Sequence, residues 1–247
     1  MEMHSLIAEA VALGQSTPDI AIMGDQGSAG SHGQDGNAGQ SGVDGRNGSC
    51  NWKTGCSGSS AGTGGGNGGN GGDASKGREG GDALPAKIYV GELTGTIFVA
   101  GRGGNGGDGG VGGAGGAGGK GGKGGNGASD GAYHTGPSSG GNGGDGGDGG
   151  DGGNGGNGGN GSLVEIVYGK LNDSSGFVPI SEPSQPGSGG AGGVGGSAGA
   201  GGQGGSPNGG NGSPGDTGNT GVSGHKGSSG GTPSTFSIRQ GTLATLS

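Results

Sequence analysis

Asp145, Asp148 and Asp151 stand three residues apart, and three carboxylates in a row invite a metal-binding reading. A calcium site gathers its oxygens at about 2.3–2.6 Å from one ion. In a backbone with three residues per turn and ~3.1 Å rise, this spacing parts the carboxylates by about 9.3 Å. They cannot share an ion, so the ladder reads as a solvated acidic face. His4, His32, His134 and His225 are scattered, with no nucleophile beside them. Gly-x-Gly-x-x-Gly recurs throughout, but without the strand–helix unit and acidic ribose ligand that would make it a nucleotide site. No segment supplies the apolar residues of an ordinary concave pocket. The expectation is a protein that is not an enzyme, with no catalytic residues, cofactor or metal.

The two cysteines, Cys50 and Cys56, have no further Cys or nearby His to complete a zinc site. A local disulfide closing a small loop fits them, and would favour an oxidising compartment. Two free thiols are the alternative. Trp52 lies inside this loop, and Tyr133 with His134 lies in a second loop, 128–139. Exposed aromatics on loops held by a rigid scaffold suit recognition. The plainer role is to plug the end of the fold. Gly103 to Gly110 begins like a calcium β-roll repeat, yet Gly110 stands where that motif needs a large aliphatic residue.

The elements that must position these loops are built largely from glycine, 85 of 247 residues, against about 7% in an ordinary domain. Glycine runs align with themselves at any offset, so the repeat has to be found in other residues. Ile88-x-x-Gly91-x-Leu93, Ile166-x-x-Gly169-x-Leu171 and Ile238-x-x-Gly241-x-Leu243 share one pattern. Further apolar stretches precede glycine runs at 19–23, 96–100 and 177–180. The chain reads as strand, run, turn, run, strand, three times over: a helical segment at 1–18, then repeats at 19–93, 94–171 and 172–247 forming one bundle. Leu6, Ile7, Ala10, Val11 and Leu13 would share one side of the helix.

Six runs result, near 24–48, 62–82, 101–127, 140–161, 187–212 and 213–230. The third and fourth place Gly at two of every three positions, the first and last at one of three. A three-residue helix turns that period into faces, two bare and one decorated. The fold class expected is mostly irregular by standard assignment: a bundle of about six antiparallel polyglycine II helices, with short β-strands clustered at one end. Each rod would be roughly 75–80 Å long. Folding back near residues 133–134 would set Lys123 beside Asp145 and Lys120 beside Asp148. Disorder and a collagen triple helix are the competing readings of such composition.

The Gly-Gly-X runs, with Asn, Asp, Ala or Ser at the third position, resemble those of springtail antifreeze proteins and of tail-tip adhesins of some T-even-like bacteriophages. That resemblance implies the bundle more than any one function. The leading expectation is a structural protein, a self-assembling subunit of an extracellular fibre or surface appendage. Its joints would be the strand residues Ile88, Val90, Ile97, Val99, Ile166, Val167, Ile238 and Leu243, and its partner another copy of itself. An adhesin at a phage or cell-surface fibre tip is the second reading, with a receptor or glycan as partner. Ice binding is the third, on the short face of Ala191, Val194, Ser197 and Ala200. The net charge of −8 argues against nucleic acid as a partner. Nothing approaches the ~20 apolar residues of a membrane span. The first residues lack a basic region and contain Glu9, so no signal peptide is recognisable and the route to an extracellular or virion surface is not apparent.

Overall fold

The structure is a computed structural model that describes residues 17–241. The expected N-terminal helix, but for its last two residues, lies outside that range, and so does Leu243. The regular elements are all strands: β1 (Ile20–Met23), β2 (Ser49–Asn51), β3 (Gly55–Ser57), β4 (Ala86–Leu93), β5 (Thr96–Arg102), β6 (Ala128–Asp130), β7 (Tyr133–Thr135), β8 (Leu163–Leu171), β9 (Gly176–Ser181) and β10 (Thr235–Gln240). Two parallel sheets form, in the orders β1-β5-β9 and β10-β8-β4. Two antiparallel hairpins, β2–β3 and β6–β7, complete the set.

The expected bundle of about six antiparallel polyglycine II helices with strands at one end is overturned. Among the described residues there is no helix, and the regular structure is strand in parallel and antiparallel sheets. The strands also lie at both ends of the glycine runs. The connections at 49–61 and 128–139 are long enough to pair with themselves, which a reading of them as plain turns overlooks. Nor are neighbouring runs all antiparallel. Consecutive runs are, but runs from successive repeats lie side by side in the same direction.

Those contacts are backbone hydrogen bonds between runs at every third residue. The first, third and fifth runs form one layer, with Gly24 N donating to Arg102 O (3.1 Å) and Gly106 N to Gln185 O (2.9 Å). The second, fourth and sixth form another, with Gly65 N donating to Asn142 O and Gly143 N to Ser213 O, both 2.8 Å. Between layers, Gly66 N donates to Gln40 O (2.7 Å) and Gly144 N to Gly119 O (2.8 Å). Each layer continues a sheet: β1, β5 and β9 lead into the first, while β4, β8 and β10 leave the second. The last corner falls at 206–208, because Gly212 N bonds Gly202 O. The fifth run therefore ends near 205 rather than 212; of the two Ser-Pro steps, Ser206-Pro207 makes the turn.

The two glycine rules now have a steric cause. A methyl on Gly107 would land on Ser28 O in its own layer, and one on Gly106 on Gly156 O in the other. The third and fourth runs each have four neighbours, so two of every three positions must stay bare. The first and sixth have two neighbours and keep one glycine in three. The freed positions of the first run, from Asp25 to Arg46, are exposed. Register also corrects the expected charge pairs. Gly141 N bonds Gly122 O, which moves Lys120 and Lys123 out of step with Asp148 and Asp145. The lysine backbones also belong to one layer and the aspartates to the other: Lys123 N bonds Asp44 Oδ1, and Asp145 N bonds Asn67 Oδ1.

At the strand pole the sheets enclose a small apolar core of Val99, Val164 and Ile166, all fully buried, with Ile20, Ile22, Ile88, Ile97, Phe177 and Phe236 packed against it. Fully burying one such side chain contributes about 1.5–3 kcal/mol. Ile88, Ile97, Val99 and Ile166, expected to join subunits, thus hold the two sheets of one chain together. Val167 is buried as well, Val90 is half-buried and Ile238 is 40% exposed.

Candidate functional site

The hairpin pole carries the residues singled out for recognition. In β2–β3, Cys50 and Cys56 are directly paired across the strands and joined by a disulfide. Asn51 closes the turn, its carbonyl accepting from Thr54 N (3.1 Å) and its Oδ1 from Lys53 N (2.8 Å). Gly55 leaves the turn at φ +86°, in the left-handed region that favours glycine. Gly131, at φ +60°, opens the two-residue turn between β6 and β7.

The hairpins are tied to each other. Asp130 Oδ2 accepts from Trp52 N (3.0 Å), and the Cys50 sulfur lies 3.3 Å from Ala128 O. Below them, Ser59 Oγ donates to Gly136 O (2.8 Å). Tyr133 pairs across from Asp130, and His134 across from Ser129. Asp130 is thus bonded to the main chain of Trp52 and paired across the strands with Tyr133, and these two aromatic residues are 66% and 48% exposed. Lys53 Nζ stands 5.0 Å from the Trp52 ring, a cation–π contact worth about 0.5–1 kcal/mol when exposed. The third connection is only the tight turn at 206–208, so both hairpins stand beyond it. The pole exposes Trp52, Lys53, Tyr133 and His134, with Asp130 half-buried among the hairpins, groups suited to stacking and hydrogen bonding.

The acidic ladder has another task. Asp145, Asp148 and Asp151 each accept a main-chain amide of the sixth run through Oδ1, from Asp216 (2.8 Å), Asn219 (2.7 Å) and Val222 (2.7 Å). Their own amides are bonded by Asn67, Asn70 and Asp73. In the other layer, Asp35 serves Ala114 N and Asp108 serves Ser188 N. The outward amide of a run has no backbone acceptor, and the short Asn or Asp of the preceding run in its layer supplies one. The solvated acidic face expected of Asp145, Asp148 and Asp151 is therefore a row of amide acceptors. The signal was present in the concentration of Asn and Asp on runs that have a neighbour to serve. Among the described residues no group of three or more His, Cys, Asp or Glu could hold a metal.

On the outer side of the second sheet, Glu165 lies between Lys87 (3.0 Å) and Arg239 (2.7 Å). The hydrogen bond from Lys87, then that from Arg239, holds the Glu165 carboxyl below its ordinary range. Glu92 is lowered similarly by its hydrogen bond from Lys170. No helix among the described residues is long and apolar enough to cross a membrane.

No family model matches this chain, and neither does any curated protein. Among solved structures, a nine polyproline type II helical bundle springtail antifreeze protein from Granisotoma rainieri is 29% identical, covering 61% of this chain and 92% of that one. Its TM-score of 0.11 is too low for the likeness to carry any inference of fold or function.

Proposed function

We propose that this chain is a non-catalytic binding rod of the adhesin type, which presents the two-hairpin pole to a receptor or glycan at an extracellular or virion surface. The observation that carries the reading is that exposed Trp52 and Tyr133 stand on two hairpins tied together through Asp130, which bonds Trp52 N and pairs across from Tyr133, with the first hairpin closed by a disulfide. Exposed aromatics on a rigid scaffold bind at low ordering cost. The disulfide is compatible with an oxidising, extracellular setting. A glycan array probed with the purified chain tests this. Binding that Trp52→Ala and Tyr133→Ala each reduce about tenfold, with thermal stability unchanged, supports it. No bound glycan, together with filaments in electron micrographs, would replace it with the second reading.

That second reading is the self-assembling fibre subunit. What favours it is that β1, β4, β9 and β10 each have a free edge in the described chain, and open edges accept strands from another chain. The joints would then be main-chain edges rather than the core side chains. Ice binding has no specific observation in its favour.

A further inference from the structure

The hydrogen bonds of the runs follow a rule that can be traced to where it stops. Within a layer, one amide of each triplet donates to the next run, as Gly65 N does to Asn142 O (2.8 Å). A second donates to the preceding run in the chain, as Gly66 N does to Gln40 O (2.7 Å). The third is taken by an Asn or Asp side chain, as Asp145 N is by Asn67 (2.9 Å). Among the described residues no run precedes the first, and its second amide of each triplet finds no backbone acceptor there. At three points the second run closes the gap with a hydroxyl: Ser75 Oγ accepts from Ser31 N (2.7 Å), Thr63 Oγ1 from Val43 N (2.6 Å) and Ser60 Oγ from Arg46 N (2.8 Å).

Between Ser75 and Thr63 the closure is missing. The second run has Gly72, Gly69 and Gly66 there, opposite the amides of Gln34, Asn37 and Gln40. None of those amides has a partner among the described residues. A methyl on Gly69 would stand 3.2 Å from Asn37 N, the place a capping side chain would occupy. Along the same stretch the amides and carbonyls of Asn67 and Asn70 are also without a partner among the described residues. The result is a groove of backbone donors and acceptors at period three, continuous with the second layer and in register with it. The matching position beside the fifth and sixth runs is different. There Thr217, Thr220, Ser223 and Lys226 stand where other runs keep the glycine that faces their next neighbour.

We propose that this groove binds an extended peptide segment with glycine at every third position, lying parallel to the second run as the fourth run does on its other side. The rule specifies the occupant. Its glycine must face the first run, because a side chain there would strike backbone, just as a methyl on Gly36 would strike Gly69 O. The residue after that glycine points outward and is unrestricted. The residue before it is best Asn or Asp, to accept the free amides of Asn67 and Asn70. Triplets of the form Gly-Ser-Asn meet all three conditions. The site is independent of the hairpin pole and of any function assigned there.

The test is fluorescence anisotropy of a labelled peptide of about five Gly-Ser-Asn triplets with the purified full chain. Saturable binding is expected, weakened about tenfold or more when Ala replaces Gly in the peptide. The triple variant Gly66→Ser, Gly69→Ser, Gly72→Ser copies the existing hydroxyl caps, and should lose the peptide while keeping or raising the melting temperature. Absence of binding to the native chain would overturn the proposal. So would equal binding of the Gly and Ala peptides, a comparison that needs no variant to fold.

Discussion

The runs and the strand pole are held by different physics within one chain. At the pole, Val99, Val164 and Ile166 exclude water from between two sheets, and the backbone follows ordinary parallel pairing. In the runs almost no side chain is buried, and the contacts are amide to carbonyl between bare backbones. Each such bond contributes only about 0.5–1.5 kcal/mol net, against a large loss of glycine freedom on ordering. A lattice of that kind depends on its completeness, while an apolar core depends on its volume. The two regions should therefore fail in opposite ways, one to added atoms and the other to removed ones.

The largest effect is expected where an atom is added to the middle of the lattice. Gly147→Val would drive a methyl into Gly69 O, between backbones that cannot yield separately. A loss above about 4 kcal/mol, the range reserved for such clashes, should appear in chemical denaturation as failure to fold. Ala74 and Ala198 fall on glycine positions of the register in outer runs, so the corresponding change there should be milder. At the pole, Ile166→Ala removes volume instead and should cost about 2–5 kcal/mol by the same measurement. Equal tolerance of added and removed atoms in both regions would erase the contrast.

Much of this division was legible in the residues. β-branched and aromatic clusters near Ile88 and Ile166 marked the strands that became β4 and β8, the shared Ile-x-x-Gly-x-Leu pattern pointed to β10, and the cysteine spacing anticipated the disulfide. The thinning of glycine in the first and last runs is visible in the sequence and matches their having only two neighbours each. What escaped was relational. A single run does not say that its neighbour from the next repeat lies parallel to it. Nor does it say that its Asp serves that neighbour's amide rather than solvent. The hairpins escaped because Ser49–Asn51 and Tyr133–Thr135 are short and polar, and their pairing depends on the closing turn more than on any pattern. The core residues were read as joints because apolar strands at one end fit a subunit interface as well as an internal core.

Smaller effects sharpen the comparison further. Asp151 serves the lattice as an acceptor for Val222 N, so Asp151→Asn should be nearly neutral and Asp151→Ala should cost about 1 kcal/mol. Equal values would mean that the carboxylate is decoration after all. The smallest effect belongs to the pole. Glu165 and Glu92 have carboxyls held below their ordinary range by Lys87 and Lys170. Stability from these pairs is complete above the ordinary glutamate value of ~4.3 and is lost as pH falls through the lowered folded-state values. Both pairs are solvent-facing, so a shallow decline in melting temperature at acid pH, removed by Glu165→Gln with Glu92→Gln, is the expected result.

Native-state hydrogen exchange resolved by residue tests the lattice most directly. Gly112, Gly113, Gly143 and Gly144 each donate to a neighbouring run, so their amides should exchange as slowly as those of Val164 and Ile166. The uncapped amides of Gln34, Asn37 and Gln40 should exchange fast. Rapid, uniform exchange across all the glycine runs, with protection confined to the strands, would contradict a molecule held together by backbone bonds between runs.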